Sequence, residues 1–386
     1  MKIVQIECSL LDFPLPAPLR PAWAPGRVFT STSCTLIRVH TDEGISGFGA
    51  GPEVGMLGIH TFADLVSPYI IGKDPFRVEQ ISPYLRVAAR DGSYPWALEM
   101  ALWDIIGKST NQPVYRLWGG FSERLPAYAS LAELPQAEEQ IARIENLRSQ
   151  GLRAFKLRLR RASIREDIEL VTAVRAHFGD TIDLMVDANQ AHVMPSPNPI
   201  GAWSYQDALT VAYAMQELGV LWLEEPLPRY NTHQLTQLCA AVDIPIAGGE
   251  LNIGLHEYKT LVDLDCYDII QADAAFSEGI FQLRKVASLA EMAFKKFIPH
   301  TWSNGIGLAT NLQLAASLPN CPWFEFPVDP PAWTVAARDF MISEPFQVEK
   351  DGCINLRALP GMGFELDEDA IRHYSRHDWH SERITA

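Results

Sequence analysis

Three acidic residues close three successive apolar runs: Asp187 in Met-Val-Asp-Ala-Asn-Gln, Glu224 in Trp-Leu-Glu-Glu-Pro and Glu250 in Ala-Gly-Gly-Glu. Any one of them could be a helix N-cap or a solvated loop residue. Three at the tips of consecutive strands would stand side by side, repel, and raise one another's pKa unless a divalent cation sits between them. An all-oxygen set without Cys or His favours Mg2+ over Zn2+. An earlier run, Ala154-Phe-Lys-Leu-Arg-Leu, places Lys156 and Arg158 two residues apart, hence on one face of a strand. Facing inward they need anions or a ligand, whereas the alternative register turns them to solvent with Arg160 and Arg161. Two later runs end near Asp273 and at His300, in Ile-Pro-His-Thr-Trp, and a carboxylate bonded to an imidazole fixes its tautomer and raises its basicity. The last run offers Glu325, in Trp-Phe-Glu-Phe-Pro. A base pair of this kind facing a basic pair across a metal suits proton transfer on an anionic substrate.

These residues need a scaffold that brings strand ends together. Strand signals occur at 126–130, 154–159, 182–186, 220–223, 244–247, 268–272, 296–298 and 322–324, starting every 24 to 38 residues. Amphipathic stretches at 138–150, 164–178, 205–218, 281–294 and 306–318 fill most intervals. Eight such units close into a (β/α)8-type barrel, whose chemistry sits at the C-terminal ends of its strands. The competing open doubly wound sheet would want Gly-x-Gly-x-x-Gly after its first strand, and none is there. Up to about residue 123 the pattern is α+β: strands at 3–9, 35–40 and 45–49 around a Thr41-Asp42-Glu43-Gly44 turn, then helices at 59–70, 78–89 and 97–108. Residues 13–25 hold five prolines with Arg20 and Trp23, which predicts a mobile loop rather than a central strand.

Composition bounds the partners. The 386 residues carry a net charge of −15, which repels polyanions and argues against nucleic acid. Hydrophobic residues at 47% and charged residues at 20% are ordinary for a globular chain. Six cysteines without Cys-x-x-Cys pairing read as reduced core thiols. The N-terminal residues lack a signal-peptide core and no apolar run nears membrane-spanning length, so a soluble cytoplasmic protein without membrane attachment is expected.

With these motifs the sequence resembles the enolase superfamily, mandelate racemase subgroup (mandelate racemase/muconate lactonizing enzyme-like), over essentially its whole length. Thr-Asp-Glu-Gly-Ile-Ser-Gly-Phe-Gly at 41–49 resembles the family's cap meander; Ala-Leu-Trp-Asp-Ile-Ile-Gly-Lys and Leu-Trp-Gly-Gly within 97–120 resemble the segment leading into its barrel. The resemblance implies an α/β fold, a (β/α)7β-type modified TIM barrel with an N-terminal α+β capping domain. It also implies a cap at 1–123, a barrel at 124–328 and a segment at 329–386 packing back on the cap. Asp187, Glu224 and Glu250 become Mg2+ ligands and Asp273 and His300 the dyad. Glu325 becomes an acid that hydrogen-bonds a substrate carboxylate or the enolate. Members of this superfamily use a Lys or His base and a metal-stabilised enediolate.

One departure bears on the reaction. The family's usual second strand carries Lys-x-Lys with the second Lys as base, and Arg158 stands there, 29 residues before Asp187. Arg stays protonated, so racemisation with a base on each face is disfavoured. The resemblance then implies dehydration of an acid sugar of aldonate or aldarate type. His300 removes the α proton, Lys156 and Arg158 hold the enediolate, and the β-hydroxyl leaves. The alternatives are a racemase or epimerase with Lys156 as base, and a non-catalytic metal-binding relative. A Pro-rich insertion at 192–204 follows the third strand, where it either shapes specificity or is a surface excursion. Asn189 and Trp302 are candidate substrate contacts, as are Arg20 or Trp23 if the Pro-rich loop closes over the site. The partner expected is a small carboxylate, and the resemblance implies a homo-oligomer, dimer or octamer.

Overall fold

The computed structural model describes residues 1–53, 66–90, 94–191 and 201–376, and the backbone of 382–385. Three antiparallel strands begin the chain: β1 (Ile3–Leu19), β2 (Phe29–Thr41) and β3 (Ser46–Pro52). The turn between β2 and β3 is the one expected, with Gly44 at φ 77°. β1 differs from expectation, because it runs through Pro14, Pro16 and Pro18 instead of breaking into a mobile loop. It pairs with β2 from Ile3 to Pro14 and again at Leu19. Its other neighbour covers only Gln5–Cys8, so the prolines fall where one side of the strand is an edge and a missing N–H costs no ladder bond.

The helix Trp96–Ser109 lies directly on β3. A Cβ at Gly47 or Gly49 would collide with the carbonyls of Ala101 or Ala97, which explains the small-residue run Gly-Phe-Gly-Ala-Gly. Buried Asp104 on this helix accepts from the Phe48 N–H (3.1 Å), the Met362 N–H (3.0 Å) and Lys108 Nζ (2.6 Å). One carboxylate thus joins sheet, helix and C-terminal segment. The helix Val78–Arg90 is as expected. Of the helix expected at 59–70, Ser67–Ile70 is helical and 59–65 lies outside the described residues.

All eight expected barrel strands form: β4 (Arg124–Ser130), β5 (Ala154–Arg158), β6 (Asp183–Asp187), β7 (Leu223–Glu224), β8 (Ile246–Gly248), β9 (Ile269–Ile270), β10 (Lys296–Phe297) and β11 (Phe324–Pro327). They run parallel in the order β10-β9-β8-β7-β6-β5-β4-β11, with helices in the intervals. This is the (β/α)7β-type modified TIM barrel with its capping domain. Among the described residues β10 and β11 share no ladder. The seam is bridged by Phe297 N–H to Asn320 O (3.1 Å) and Thr301 Oγ1 to Glu325 O (2.8 Å). Tyr128, Ala154, Met185, Trp222, Ala247, Ile269 and Ile298 pack together as one layer inside the barrel. After β11 the chain adds β12 (Cys353–Asn355) antiparallel to β4, and β13 (Glu382–Thr385) antiparallel to β1. The six cysteines are free thiols, four of them buried. Among the described residues no helix is long and apolar enough to cross a membrane.

Candidate active site

The barrel register carries Arg158, Asp187 and Glu224 into one layer, since Arg158 pairs with Asp187 and Asp187 with Glu224. Lys156 lies two residues below Arg158 on the same inward face, above Ala154 of the apolar layer. Phe155, Leu157 and Leu159 alternate outward into the core under the helices. The alternative register, with both cations in solvent, is therefore not adopted: Lys156 is fully buried and Arg158 is 3% exposed.

One carboxylate oxygen from each of Asp187, Glu224 and Glu250 lies within 4.8 Å of the others. Burial, then repulsion from Glu224, pushes Asp187 up to about 7. Burial raises Glu250 as well, against the pull of His300. The cluster is therefore short of positive charge although Lys156 and Arg158 adjoin it. A hard cation, which takes oxygen ligands, would fit that deficit, and Asp187, Glu224 and Glu250 would hold it.

Lys156 donates to Glu224 Oε1 (2.7 Å) and Oε2 (2.8 Å). Its Nζ lies 2.8 Å from Glu325 Oε1, an ion-pair contact rather than a well-aligned hydrogen bond. Burial opposes its charge, but Glu224 and Glu325 outweigh burial and hold the ammonium above its ordinary pKa. Glu325 is the mirror image. Burial would raise it, yet Lys156 and His300 push it down to about 2, and its Oε2 accepts from the Thr301 N–H (2.7 Å). Arg158 donates to Asp187, to Leu131 O (2.6 Å) and to Ser130 Oγ (3.2 Å). Its guanidinium lies 5.0 Å from the Trp23 ring and 5.8 Å from the Trp302 ring. Trp302 Nε1 shares Ser130 Oγ at 2.7 Å.

On the opposite side His300 Nδ1 meets Asp273 Oδ2 at 2.8 Å, and Nε2 lies 3.3 Å from Glu250. Burial would favour neutral imidazole, but Glu250, Glu325 and Asp273 together raise its pKa to about 10. Asp273 Oδ1 accepts from the Ala275 N–H (2.7 Å) and from Asn311 Nδ2 (3.1 Å). The same Asn311 nitrogen donates to His300 O (2.9 Å), and Asn311 Oδ1 accepts from the Ala274 N–H (3.1 Å).

Of the expected site residues, the structure brings together Asp187, Glu224, Glu250, Lys156, Arg158, Asp273, His300, Glu325, Trp302 and Trp23. Asn189 joins them through its N–H and Nδ2, which donate to the two Asp187 oxygens (2.8 and 3.0 Å). Arg20 is not brought in. Its side chain is exposed and its N–H donates to Glu133 Oε1 (2.7 Å), because β1 stays paired up to Leu19 and carries Arg20 to the outer rim. Residues 192–200 of the insertion lie outside the described residues; at its end the Trp203 N–H donates to Gln190 Oε1 (3.0 Å). Sequence reasoning missed Asn311, Ser130, and Gln271, whose Nε2 donates to Glu224 Oε2 (2.8 Å). It also missed Glu225, buried at φ 47°, neither of whose carboxylate oxygens has a partner among the described residues. A Glu-Glu pair at a strand tip was the available signal for that residue.

Residues 139–370 match the enolase C-terminal domain-like family, and residues 14–119 match the mandelate racemase/muconate lactonizing enzyme N-terminal domain. The chain belongs to the mandelate racemase/muconate lactonizing enzyme group of the enolase superfamily. It is 28% identical over 385 residues to L-talarate/galactarate dehydratase of Salmonella typhimurium, covering 96% of this chain and 90% of that protein. It is 26% identical to D-galactarolactone cycloisomerase of Agrobacterium fabrum, over 98% of this chain and all of that one. A crystal structure of the Salmonella dehydratase liganded with Mg and L-lyxarohydroxamate superposes with a TM-score of 0.85 at 25% identity, covering 100% of this chain and 95% of that one. Its relatives thus include lyases and isomerases of acid sugars.

Proposed function

We propose that the protein is an Mg2+-dependent acid-sugar dehydratase with His300 as its single base. The observation that carries this reading is the asymmetry of the site. One side holds an imidazole oriented by Asp273; the other holds two cations that have no tendency to give up a proton. Arg158 is always charged, and Lys156 is paired not only with Glu224 but with Glu325, which is not among the metal ligands and stays beside it when the ion is bound. A second base for racemisation is therefore lacking, and Lys156 does not fill the role left by Arg158.

Asp187, Glu224 and Glu250 would hold Mg2+. When bound, the ion would balance the three carboxylates, polarise the substrate carboxylate and relieve the pull of Glu250 that keeps His300 protonated. His300 Nε2 takes the α proton, Nδ1 being held by Asp273. Lys156 and Arg158 face the enediolate charge from the other side, fixed in advance by Glu325, Leu131 and Ser130. His300 returns its proton to the departing β-hydroxyl, which leaves as water, giving an enol that tautomerises to the 2-keto acid. Trp23 and Trp302 shield this step from bulk water.

Screening a library of acid sugars with Mg2+ for keto-acid formation tests the reading. His300→Asn should lose turnover by about 10²–10⁴-fold while keeping Mg2+ affinity; wild-type-like turnover would reject the base. The cycloisomerase relative makes an isomerase the second reading. Solvent deuterium entering the α carbon of both stereochemical forms of one acid would favour it.

A further inference from the structure

A cavity of about 400 Å³ lies between the cap sheet and the mouth of the barrel. Three of its rings border the catalytic groups. Trp23 and Trp302 meet edge to face beside Arg158, and the Phe276 ring lies 6.0 Å from that of His300. Phe29 and Trp333 add ring faces, and Ser31, Thr32 and Ser33 of β2 line it as well, the Ser33 hydroxyl being bonded to Asp12 and Arg376. A molecule held by its carboxylate at the acidic cluster and long enough to pass these rings would place its tail in this space.

Among the described residues the cavity has no cation free to receive a second carboxylate. Arg338 lines it, but its guanidinium is fully buried and closed on Asp339 through two bonds of 2.7 Å, with Pro327 O and Phe346 O taking the remaining contacts. Arg376 is drawn off by Glu53 (2.7 Å) and Asp12 (3.3 Å), and Glu53 itself lines the cavity. Arg27 stacks on Phe29 at 5.1 Å but lines a separate surface cavity with Glu133 and Glu139. A distal carboxylate would therefore lose hydration without gaining a charged partner, and would meet Glu53. A neutral polyol tail presents C–H faces to the rings and hydroxyls to β2.

We infer that the substrate is a monocarboxylic acid with an uncharged polyol tail, an aldonate rather than an aldarate, and that Glu53 and the aromatic lining set this choice. The inference rests on the dehydratase reading for its reaction but on the cavity for its selectivity. Matched hexonates and hexarates of the same configuration, given to the Mg2+-loaded protein, test it by keto-acid formation and by calorimetric binding. The monoacid should be preferred by about tenfold or more in kcat/KM. Glu53→Gln, which removes the like charge and one of the two carboxylate partners of Arg376, should narrow that ratio. Equal or better turnover of the diacids overturns the inference and leaves the dehydratase reading standing. Preferential binding of monoacids without keto-acid supports the inference and defeats the dehydratase reading. A ratio unmoved by Glu53→Gln, or no binding of either class at millimolar concentration, overturns it.

Discussion

Asn311 ties the two halves of the proposed base together, so replacing it separates scaffold from chemistry. Its side chain makes three bonds: to the Asp273 carboxylate at 3.1 Å, to His300 O at 2.9 Å and from the Ala274 N–H at 3.1 Å. All are buried. A hydrogen bond to a charged group contributes about 1.5–3 kcal/mol and each neutral one about 1 kcal/mol. Asn311→Ala should therefore destabilise the protein by about 3–5 kcal/mol, a large share of a typical total of about 5–15 kcal/mol. Urea unfolding should show this as a lower midpoint at unchanged slope. The chemical effect is separate. With Asp273 untethered the imidazole loses its fixed aim, and a displacement of about 1 Å costs on the order of 10²-fold. That loss should appear in kcat for keto-acid formation, with KM and Mg2+ affinity nearly kept, since Asn311 touches no residue of the acidic cluster. Asn311→Asp preserves volume but cannot donate to Asp273, and should be no better than Ala. A stability loss below about 1 kcal/mol together with unchanged kcat would refute the tether.

Two further outcomes follow from groups held away from their ordinary pKa. Burial pushes Glu99 from 4.5 up to about 8, with one oxygen accepting from the Phe281 N–H (2.8 Å) and the other without a partner among the described residues. The folded state thus binds this proton more tightly than the unfolded one. Stability from Glu99 is full below about pH 4.5 and is lost as pH rises through about 8, on the order of 5 kcal/mol in all. Glu99→Gln should flatten that slope in urea titrations across the window, and an unchanged slope would reject the assignment. Asp187, raised to about 7 mainly by burial, must ionise to bind a cation. Mg2+ affinity should rise between about pH 6 and 8 with proton release, measurable by calorimetry in buffers of different ionisation enthalpy. Affinity independent of pH without proton release would count against the cluster as the site.

The strand-tip residues were legible because a barrel obeys a strict period of two: once Ala154 faces inward, so do Lys156 and Arg158, and parallel register carries Asp187 and Glu224 to the same height. Residues that act across elements were not legible. Asn311 sits in the helix Gly305–Ala316, wholly buried and mostly apolar, where its spacing says only that it is helical. Its partners are 38 and 11 residues away in sequence. Ser130 likewise looks like the end of a strand, yet it joins Arg158 to Trp302. The Pro-rich stretch leaves the strand at residue 20 as expected, but 13–19 stay in β1, because proline content reports on a missing donor, not on whether the neighbouring position is occupied. Arg20 is carried to the outer rim by that strand, whereas Trp23, three residues on, turns inward and reaches Trp302 at 4.9 Å.

β13 completes the first sheet by pairing with β1, residue 385 lying opposite residue 5. The cap is therefore stitched from both extremes of the sequence, and during synthesis its fourth strand arrives after every barrel strand has left the ribosome. The barrel, whose neighbours in space are mostly neighbours in sequence, can assemble first. The strand that leads to Trp23 then belongs to the unit finished last, although Trp23 itself packs on the barrel. Shortening the chain before residue 382 should lower the stability of the cap sheet in urea unfolding while leaving Mg2+ affinity at the acidic cluster unchanged.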